Sequence, residues 1–179
     1  AKGSSFRWRG RYRHDLNVAE TLETHLGVFS HFHPKIPPQF RNAEFVFLGN
    51  IDPRLQLDVL TQVEKPKLVA CDTMNFWIES RRSDIVKLLA HVNCITLNDG
   101  EARQLTDHNN LVKAAKWIMS KGPSLVIIKK GEHGAFMFTP KTVFFAPAFP
   151  LEEVFDPTGA GDSFAGGFMG YLARSGDIS

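Results

Sequence analysis

A mostly parallel α/β sheet covered by helices on both faces is the fold class this sequence predicts. Three observations point there. From residue 44 onward, short apolar runs rich in Val, Ile, Leu and Phe alternate with stretches of helical spacing. The apolar runs are nearly continuous rather than alternating, which is the pattern of strands buried on both faces. Each run also ends in a polar or glycine-bearing segment, where open α/β sheets carry their ligands.

The elements follow in order. Residues 6–13 read Phe-Arg-Trp-Arg-Gly-Arg-Tyr-Arg, a period of two that places Phe6, Trp8 and Tyr12 on one strand face and Arg7, Arg9, Arg11 and Arg13 on the other. A second extended run over residues 21–32 is expected to pair with it, and residues 34–38, bounded by prolines, then break regular structure. The spacing next predicts a strand over 44–49, a helix over 53–63, a strand over 67–71 and a helix over 83–91. It continues with a strand over 92–97, helices over 99–106 and 111–121, and a strand over 125–129. Residues 135–139 and 142–146 form a hairpin around Pro140-Lys141, and a last helix runs from near Gly159 to near Arg174. The chain thus divides into a small β unit over 1–33 and an α/β core over 34–179.

At 179 residues, 43% hydrophobic and 22% charged, the composition is that of a globular protein with one core. The formal charge of +2 says little about partners, since most of the excess sits at the start in Lys2, Arg7, Arg9, Arg11 and Arg13. Cys71 and Cys94 each belong to an apolar run and read as buried thiols, which fits a reducing cytoplasm. No apolar stretch approaches the ~20 residues of a membrane span. The seven histidines lack ligand spacing, which argues against a transition-metal enzyme. There is no initiator Met and the last helix stops at Ser179, so the sequence reads as a piece of a longer protein.

The densest chemistry lies in Asp156-Pro157-Thr158-Gly159-Ala160-Gly161-Asp162. Two glycines where a loop becomes a helix leave backbone N–H groups uncovered, and the helix N-terminus adds roughly half a positive charge. A phosphate would sit there. A carboxylate in that first turn repels a resting phosphate, so Asp162 needs another task. Taking the proton of an attacking hydroxyl, beside amides that stabilise a transferring phosphoryl group, is such a task. A plainer alternative is that Asp162 only complements the helix dipole and the glycines only make a tight turn.

Two further segments end predicted strands. In Asn98-Asp99-Gly100-Glu101, Asn98 reads as a helix N-cap with Glu101 reaching back to it. Lys129-Lys130-Gly131-Glu132-His133-Gly134 offers a cation and two glycines at a strand end, the lysine either meeting phosphate or standing in solvent.

Residues 156–170, with the run Asp-Pro-Thr-Gly-Ala-Gly-Asp-Ser-Phe-Ala-Gly-Gly-Phe, closely resemble the C-terminal signature of the ribokinase-like carbohydrate kinases, the PfkB family. The resemblance implies a ribokinase-like three-layer sandwich with a small β lid, to which residues 1–33 contribute strands. It implies ATP-dependent phosphorylation of a hydroxyl on a sugar, sugar derivative or nucleoside. Asp162 is then the catalytic base, and the amides of Gly159, Ala160 and Gly161 are the anion hole. The Asn-x-x-Glu spacing resembles the family motif that positions hydrated Mg²⁺ and phosphate, giving that role to Asn98 and Glu101, and it is compatible with a helix cap. Thr158, Lys129, Gly131 and Gly134 fall along the nucleotide. Asp72-Thr73-Met74-Asn75-Phe76-Trp77 resembles the family's Asp-x-Asn segment and assigns Asn75 to the phosphate end, with Asp72 as a strand-end cap the alternative. Ala165, Gly166 and Gly170 would let the last helix approach the sheet, with Phe164, Phe168, Tyr171 and Leu172 as its apolar stripe.

The family's N-terminal half and its last adenine-pocket segment lie outside these residues, so the chain alone is expected to be inactive. Expected partners are a small sugar or nucleoside and a second copy through the lid strands, with no nucleic acid and no membrane. Two alternatives remain: a catalytically inactive sensor of the same fold, and a nucleic-acid module using the arginine and aromatic strand. A dinucleotide-binding dehydrogenase is excluded, because the glycine loop lies at the end of the chain without the required spacing or downstream acid.

Overall fold

The computed structural model describes residues 2–12, 16, 17 and 19–176, so Arg13 of the predicted first strand lies outside the described residues. The chain forms a two-stranded and a six-stranded sheet. In the first, β1 (Arg7–Tyr12) pairs antiparallel with β2 (Ala19–His25), with a bulge at Arg9/Gly10. The alternation holds: Arg7, Arg9 and Arg11 are exposed while Trp8 and Tyr12 are half-buried.

The second strand is shorter than its sequence predicts. Instead of running to residue 32 it ends at His25, and a 3₁₀ turn occupies Gly27–His31. Gly27 explains the break. Its φ of +54° is open to glycine, and a Cβ there would stand 2.2 Å from the Ser4 carbonyl oxygen. The turn stacks Phe29 on Phe6 at 5.4 Å and on Phe32 at 6.0 Å.

The large sheet runs β3 (Phe45–Leu48), β4 (Leu68–Asp72), β5 (Cys94–Asn98), β6 (Leu125–Lys129), β7 (Ala135–Phe138) and β8 (Val143–Ala146) in spatial order. The first four strands are parallel, and β7 and β8 add antiparallel. Successive crossovers of one hand that step in one direction put their helices on one face. Accordingly α1 (Pro53–Leu60), α2 (Asn75–Leu89), α3 (Asp99–Thr106) and α4 (Leu111–Met119) share a core with Val69, Cys71, Ile95, Leu97, Val126 and Ile128. The alternate residues Leu68, Ala70, Cys94 and Ile127 face α5 (Ala160–Ser175) on the other side. Ile85, Leu88, Leu89, Ile95, Leu97, Leu105, Ile118 and Ile128 are fully buried, and each contributes about 1.5–3 kcal/mol relative to exposure.

Two helices differ from expectation. α2 begins at Asn75 rather than near residue 83, and non-helical dihedrals at Arg81 (φ −141°, ψ 27°) kink it. No proline or glycine causes the kink. Ser80 Oγ donates to the Phe76 carbonyl at 2.6 Å, a back-bond of the kind that bends helices. Beyond it, Arg82 ties the second half to α3 through the Leu105 carbonyl at 2.9 Å and Asp107 at 2.6 Å.

In α5 the buried face is Ala165, Phe168, Met169 and Leu172, at positions i, i+3, i+4 and i+7. Gly166 and Gly170 instead face open space, and Phe164 and Tyr171 are exposed, so the expected small-residue contact and much of the expected stripe lie on the outer face. The helix approaches the sheet through Ala165 alone among its small residues. Cys71 and Cys94 are free and buried, as expected, and burial pushes both thiols up, Cys94 to about 12. Among the described residues no helix is long and apolar enough to cross a membrane.

Candidate active site

The carboxyl ends of β4, β5 and β6 form one edge of a crevice. Asp72 ends β4, Asn98 ends β5 and Lys129 ends β6, with Asn98 and Lys129 directly paired in the parallel register. Gln56 on α1 fixes the neighbouring strand end. Its buried amide donates to the carbonyls of Leu48 (3.0 Å), Gly49 (2.9 Å) and Asp72 (3.1 Å), holding β3 and β4 together where they open onto the crevice.

At the start of α3 the cap expected from the sequence is present in both directions. The Glu101 N–H donates to Asn98 Oδ1 at 2.8 Å, and the Asn98 N–H donates to Glu101 Oε2 at 2.8 Å. Burial raises the Glu101 carboxyl above the usual range, while the Asn98 N–H and Lys129 oppose the rise.

The Asp156 to Asp162 loop enters α5 across the crevice. Asp156 Oδ1 accepts from the Thr158 N–H at 2.9 Å, and the Thr158 side chain together with this N–H holds the exposed carboxyl below its usual range. Gly159 turns the chain at φ +83° and no side chain caps the helix. The Ala160 N–H donates to the Pro157 carbonyl at 3.1 Å, while those of Gly161 and Asp162 are left for solvent or ligand. Lys129 Nζ stands 3.1 Å from where a Cβ would lie on Gly161, so the half-buried lysine projects onto the glycine loop rather than into open solvent.

Sequence reasoning gave Asp72 only a strand-end cap. It is 6% exposed, and its Oδ1 finds no hydrogen-bond partner. Burial pushes its carboxyl up to about 7; Lys129 opposes that rise, while Asp162 and Glu101 reinforce it. Those couplings put Asp72, Glu101, Asp162 and Lys129 in one electrostatic group. The signal that could have found Asp72 is its place: an acid closing a strand whose every residue is buried.

The other expected residues divide. Asn75 is exposed at the first position of α2 and its side chain makes no hydrogen bond among the described residues, so the structure does not draw it into this group. Gly131 (φ +54°) lies beneath Asn17, whose side-chain amide donates to Glu132. Gly134 (φ +97°) is pressed against the Ala146 carbonyl. Thr158 Oγ1 donates to Tyr12 Oη at 3.4 Å, so the small sheet touches the crevice at both sides.

Mg²⁺ takes hard oxygen donors and keeps several of its waters. Among the described residues no three ligating side chains stand close enough to hold a metal directly. The oxygen donors Glu101 and Asn98, with the unpartnered Asp72 Oδ1 beside them, fit a hydrated ion.

Fold and crevice define the class: a ribokinase-fold α/β protein. The Burkholderia thailandensis nucleoside kinase solved with inosine covers 99% of this chain at TM-score 0.77 and 22% identity, with 58% of that chain matched. The Methanocaldococcus jannaschii nucleoside kinase covers 99% at TM-score 0.74 and 20% identity, with 57% of that chain matched. Residues 21–179 match the pfkB family of carbohydrate kinases, and the chain belongs to that family. A Thermococcus kodakarensis cytidine kinase is 33% identical over 144 residues, 78% of this chain and 51% of the relative. The chain spans about half the length of the curated relatives it matches.

Proposed function

We propose that this chain carries the phosphoryl-transfer half of an ATP-dependent kinase acting on a hydroxyl of a sugar, sugar derivative or nucleoside. The observation that carries the reading is the convergence at Gly161 of the Lys129 ammonium and the uncapped N-terminus of α5, one residue before Asp162. Membership of the pfkB family supports it, as do the names of its relatives, a cytidine kinase among them. ATP as donor is supported by a 25% identical aminoimidazole riboside kinase from Salmonella enterica, solved with its riboside and an ATP analogue, at TM-score 0.63 over 78% of this chain and 50% of that chain.

In this mechanism Asp162 accepts the proton of the attacking hydroxyl as its oxygen bonds to the γ-phosphorus and the bond to the bridging oxygen of ADP breaks. The N–H groups of Gly159 and Gly161, joined by that of Ala160 once it leaves the Pro157 carbonyl, hold the phosphoryl oxygens, and Lys129 neutralises charge beside them. Thr158, Gly131 and Gly134 shape the nucleotide side. When bound, Mg²⁺ neutralises phosphate charge and orients the transferring group, and Glu101, Asn98 and Asp72 would hold it through its waters. β1 and β2 act as a lid over the crevice, set by Tyr12 on Thr158.

The test is ATP consumption by the natural protein carrying this chain, across a panel of sugars and nucleosides, with Asp162→Asn alongside. Turnover dependent on one acceptor class and lost in the variant supports the reading. Wild-type turnover by Asp162→Asn removes it.

A further inference from the structure

Two buried oxygens at the crevice end of the sheet lack a hydrogen-bond partner among the described residues: Asp72 Oδ1 and Thr96 Oγ1, the latter on a residue only 1% exposed. Asp72 of β4 and Thr96 of β5 are direct partners in the parallel register, so their side chains rise side by side from one sheet face. It is the face of α5, because Ala70 and Cys94, paired one period earlier in the same register, pack there. One step beyond the Leu48 and Cys71 pair, the residue on the other flank of Asp72 is Gly49, which has no side chain. Ile127 flanks Thr96 on its far side and is apolar. Each orphaned oxygen thus has the other as the one polar side chain in register beside it.

Buried polar groups rarely go without a partner, since an unmet group costs its desolvation. Neighbouring strands lie about 4.8 Å apart. Side chains that start that far apart hold their oxygens beyond direct bonding, and one water about 2.8 Å from each closes the gap. A water accepts from the Thr96 hydroxyl while it donates to the carboxylate, which a cation cannot do. Positive charge is also supplied there already, by the Lys129 ammonium that acts on Asp72. Of the two carboxylate oxygens only Oδ1 is sealed from solvent without a partner, which leaves Oδ2 for the crevice.

We propose that Thr96 is a positioning residue: through one buried water it fixes Asp72 Oδ1, so that Oδ2 is held toward the crevice, where the kinase reading puts hydrated Mg²⁺. The water link stands on the strand register and the two orphaned oxygens, and only its use rests on the kinase reading.

The experiment uses the natural protein carrying this chain, as wild type, Thr96→Val, Thr96→Ser, Asp72→Ala and the double variant of Thr96→Val with Asp72→Ala. A high-resolution crystal structure of the wild type should show one water within about 3 Å of both oxygens; a direct bond between the side chains, or no water, overturns the inference. Val keeps the shape of Thr and drops the hydroxyl. In urea without ligands, Thr96→Val should raise the unfolding equilibrium constant about 5- to 30-fold, and that effect should largely vanish in the Asp72→Ala background. A hydroxyl that binds nothing gives the opposite sign, because Val then removes an unmet buried polar group. An unchanged or lowered constant therefore overturns the inference, as does a Thr96→Val effect of one size with and without Asp72. Stability that rises with Na⁺ or K⁺ over a choline salt in wild type, and not in Thr96→Val, makes the occupant a cation and overturns it too. The last readout is equilibrium ATP affinity with and without Mg²⁺. The gain on adding Mg²⁺ should shrink about tenfold in Thr96→Val and return in Thr96→Ser, with Mg²⁺-free affinity as in wild type. A Mg²⁺ gain equal in wild type and Thr96→Val overturns the positioning role. Turnover decides the kinase reading separately: these results without transfer to any acceptor uphold the inference while that reading falls.

Discussion

The ammonium of Lys129 fills the space that a side chain would need at Gly161, 3.1 Å from the position of the absent Cβ. A residue at the end of β6 and one in the first turn of α5, on opposite sides of the crevice, thus share one small volume. Gly161→Ala moves the flexible tip of Lys129 by a few tenths of an ångström. Stability should change by less than about 0.5 kcal/mol, read by urea unfolding. The displaced ammonium and the covered loop should lower kcat about tenfold, and Lys129→Met should lower kcat/KM for ATP about 100-fold.

Asp162 is the second test. If it takes the hydroxyl proton, Asp162→Asn should lower kcat by about 10²- to 10⁴-fold. Removing a negative charge beside the phosphates should leave ATP affinity unchanged or raise it, so equilibrium binding and turnover should part company. A parallel loss of both would point to a collapsed loop rather than a lost base.

Glu101 has two duties that one pair of variants separates. Its Oε2 closes the capping box on the Asn98 N–H, a task that Gln also performs. Glu101→Gln should keep stability within about 0.5 kcal/mol yet raise the Mg²⁺ concentration needed for half-maximal turnover. Glu101→Ala should lose the same Mg²⁺ response and, in addition, about 0.5–2 kcal/mol of stability. Equal Mg²⁺ dependence in wild type and Glu101→Gln would leave the residue as a cap alone.

Asp72 makes a pH prediction with a definite sign. Burial penalises its charge and pushes its carboxyl up to about 7 in the folded chain, from an ordinary 3.8. The folded state therefore holds a proton that the unfolded state has released between about pH 4 and 7. The resulting stability is present in full below the unfolded pKa and is lost as pH rises through the folded one. At about 1.4 kcal/mol per unit the loss is at most about 4 kcal/mol. Asp72→Asn should flatten the stability profile between pH 4 and 7 and exceed wild type at pH 8, measured by denaturant unfolding without ligands.

Much of this fold was legible because apolar runs and capping residues act locally. Asp99–Thr106 came out with its cap, and the strand ends at Asp72, Asn98 and Lys129 fell where the apolar runs stop. The first half of α2 was not legible, since Met74 offers no capping side chain and the kink at Arg81 separates buried Trp77 and Ile78 from buried Ile85, Leu88 and Leu89. The face of α5 was misassigned because glycines and aromatics look alike in either register until Ala165 and Met169 show which side meets β4 and β6. Asp72 matters through neighbours distant in sequence, Lys129, Asp162 and Glu101. Local pattern carries no trace of such meetings.

The two glycines that turn the chain at the crevice should respond oppositely. Gly134 has φ +97° and ψ −144°, a conformation that side chains rarely take, and a Cβ there would lie 2.0 Å from the Ala146 carbonyl oxygen. Because that oxygen is backbone, it can yield only by moving β8 and the residues after it. Gly134→Ala should therefore cost about 3 kcal/mol or more, the sum of backbone strain and overpacking. Gly159 has φ +83°, but its missing Cβ would meet nothing within 4 Å. Gly159→Ala should cost only the left-handed strain, about 1–2 kcal/mol. Catalysis should rank them the other way. Strain at Gly159 reorients the N–H groups that face the phosphoryl, whereas Gly134 acts through the hairpin, so kcat should fall further for Gly159→Ala at temperatures where both variants remain folded. Melting temperatures paired with single-turnover rates decide it: a larger kcat loss for Gly134→Ala would make the β6–β7 turn, and not the α5 N-terminus, the more demanding part of the site.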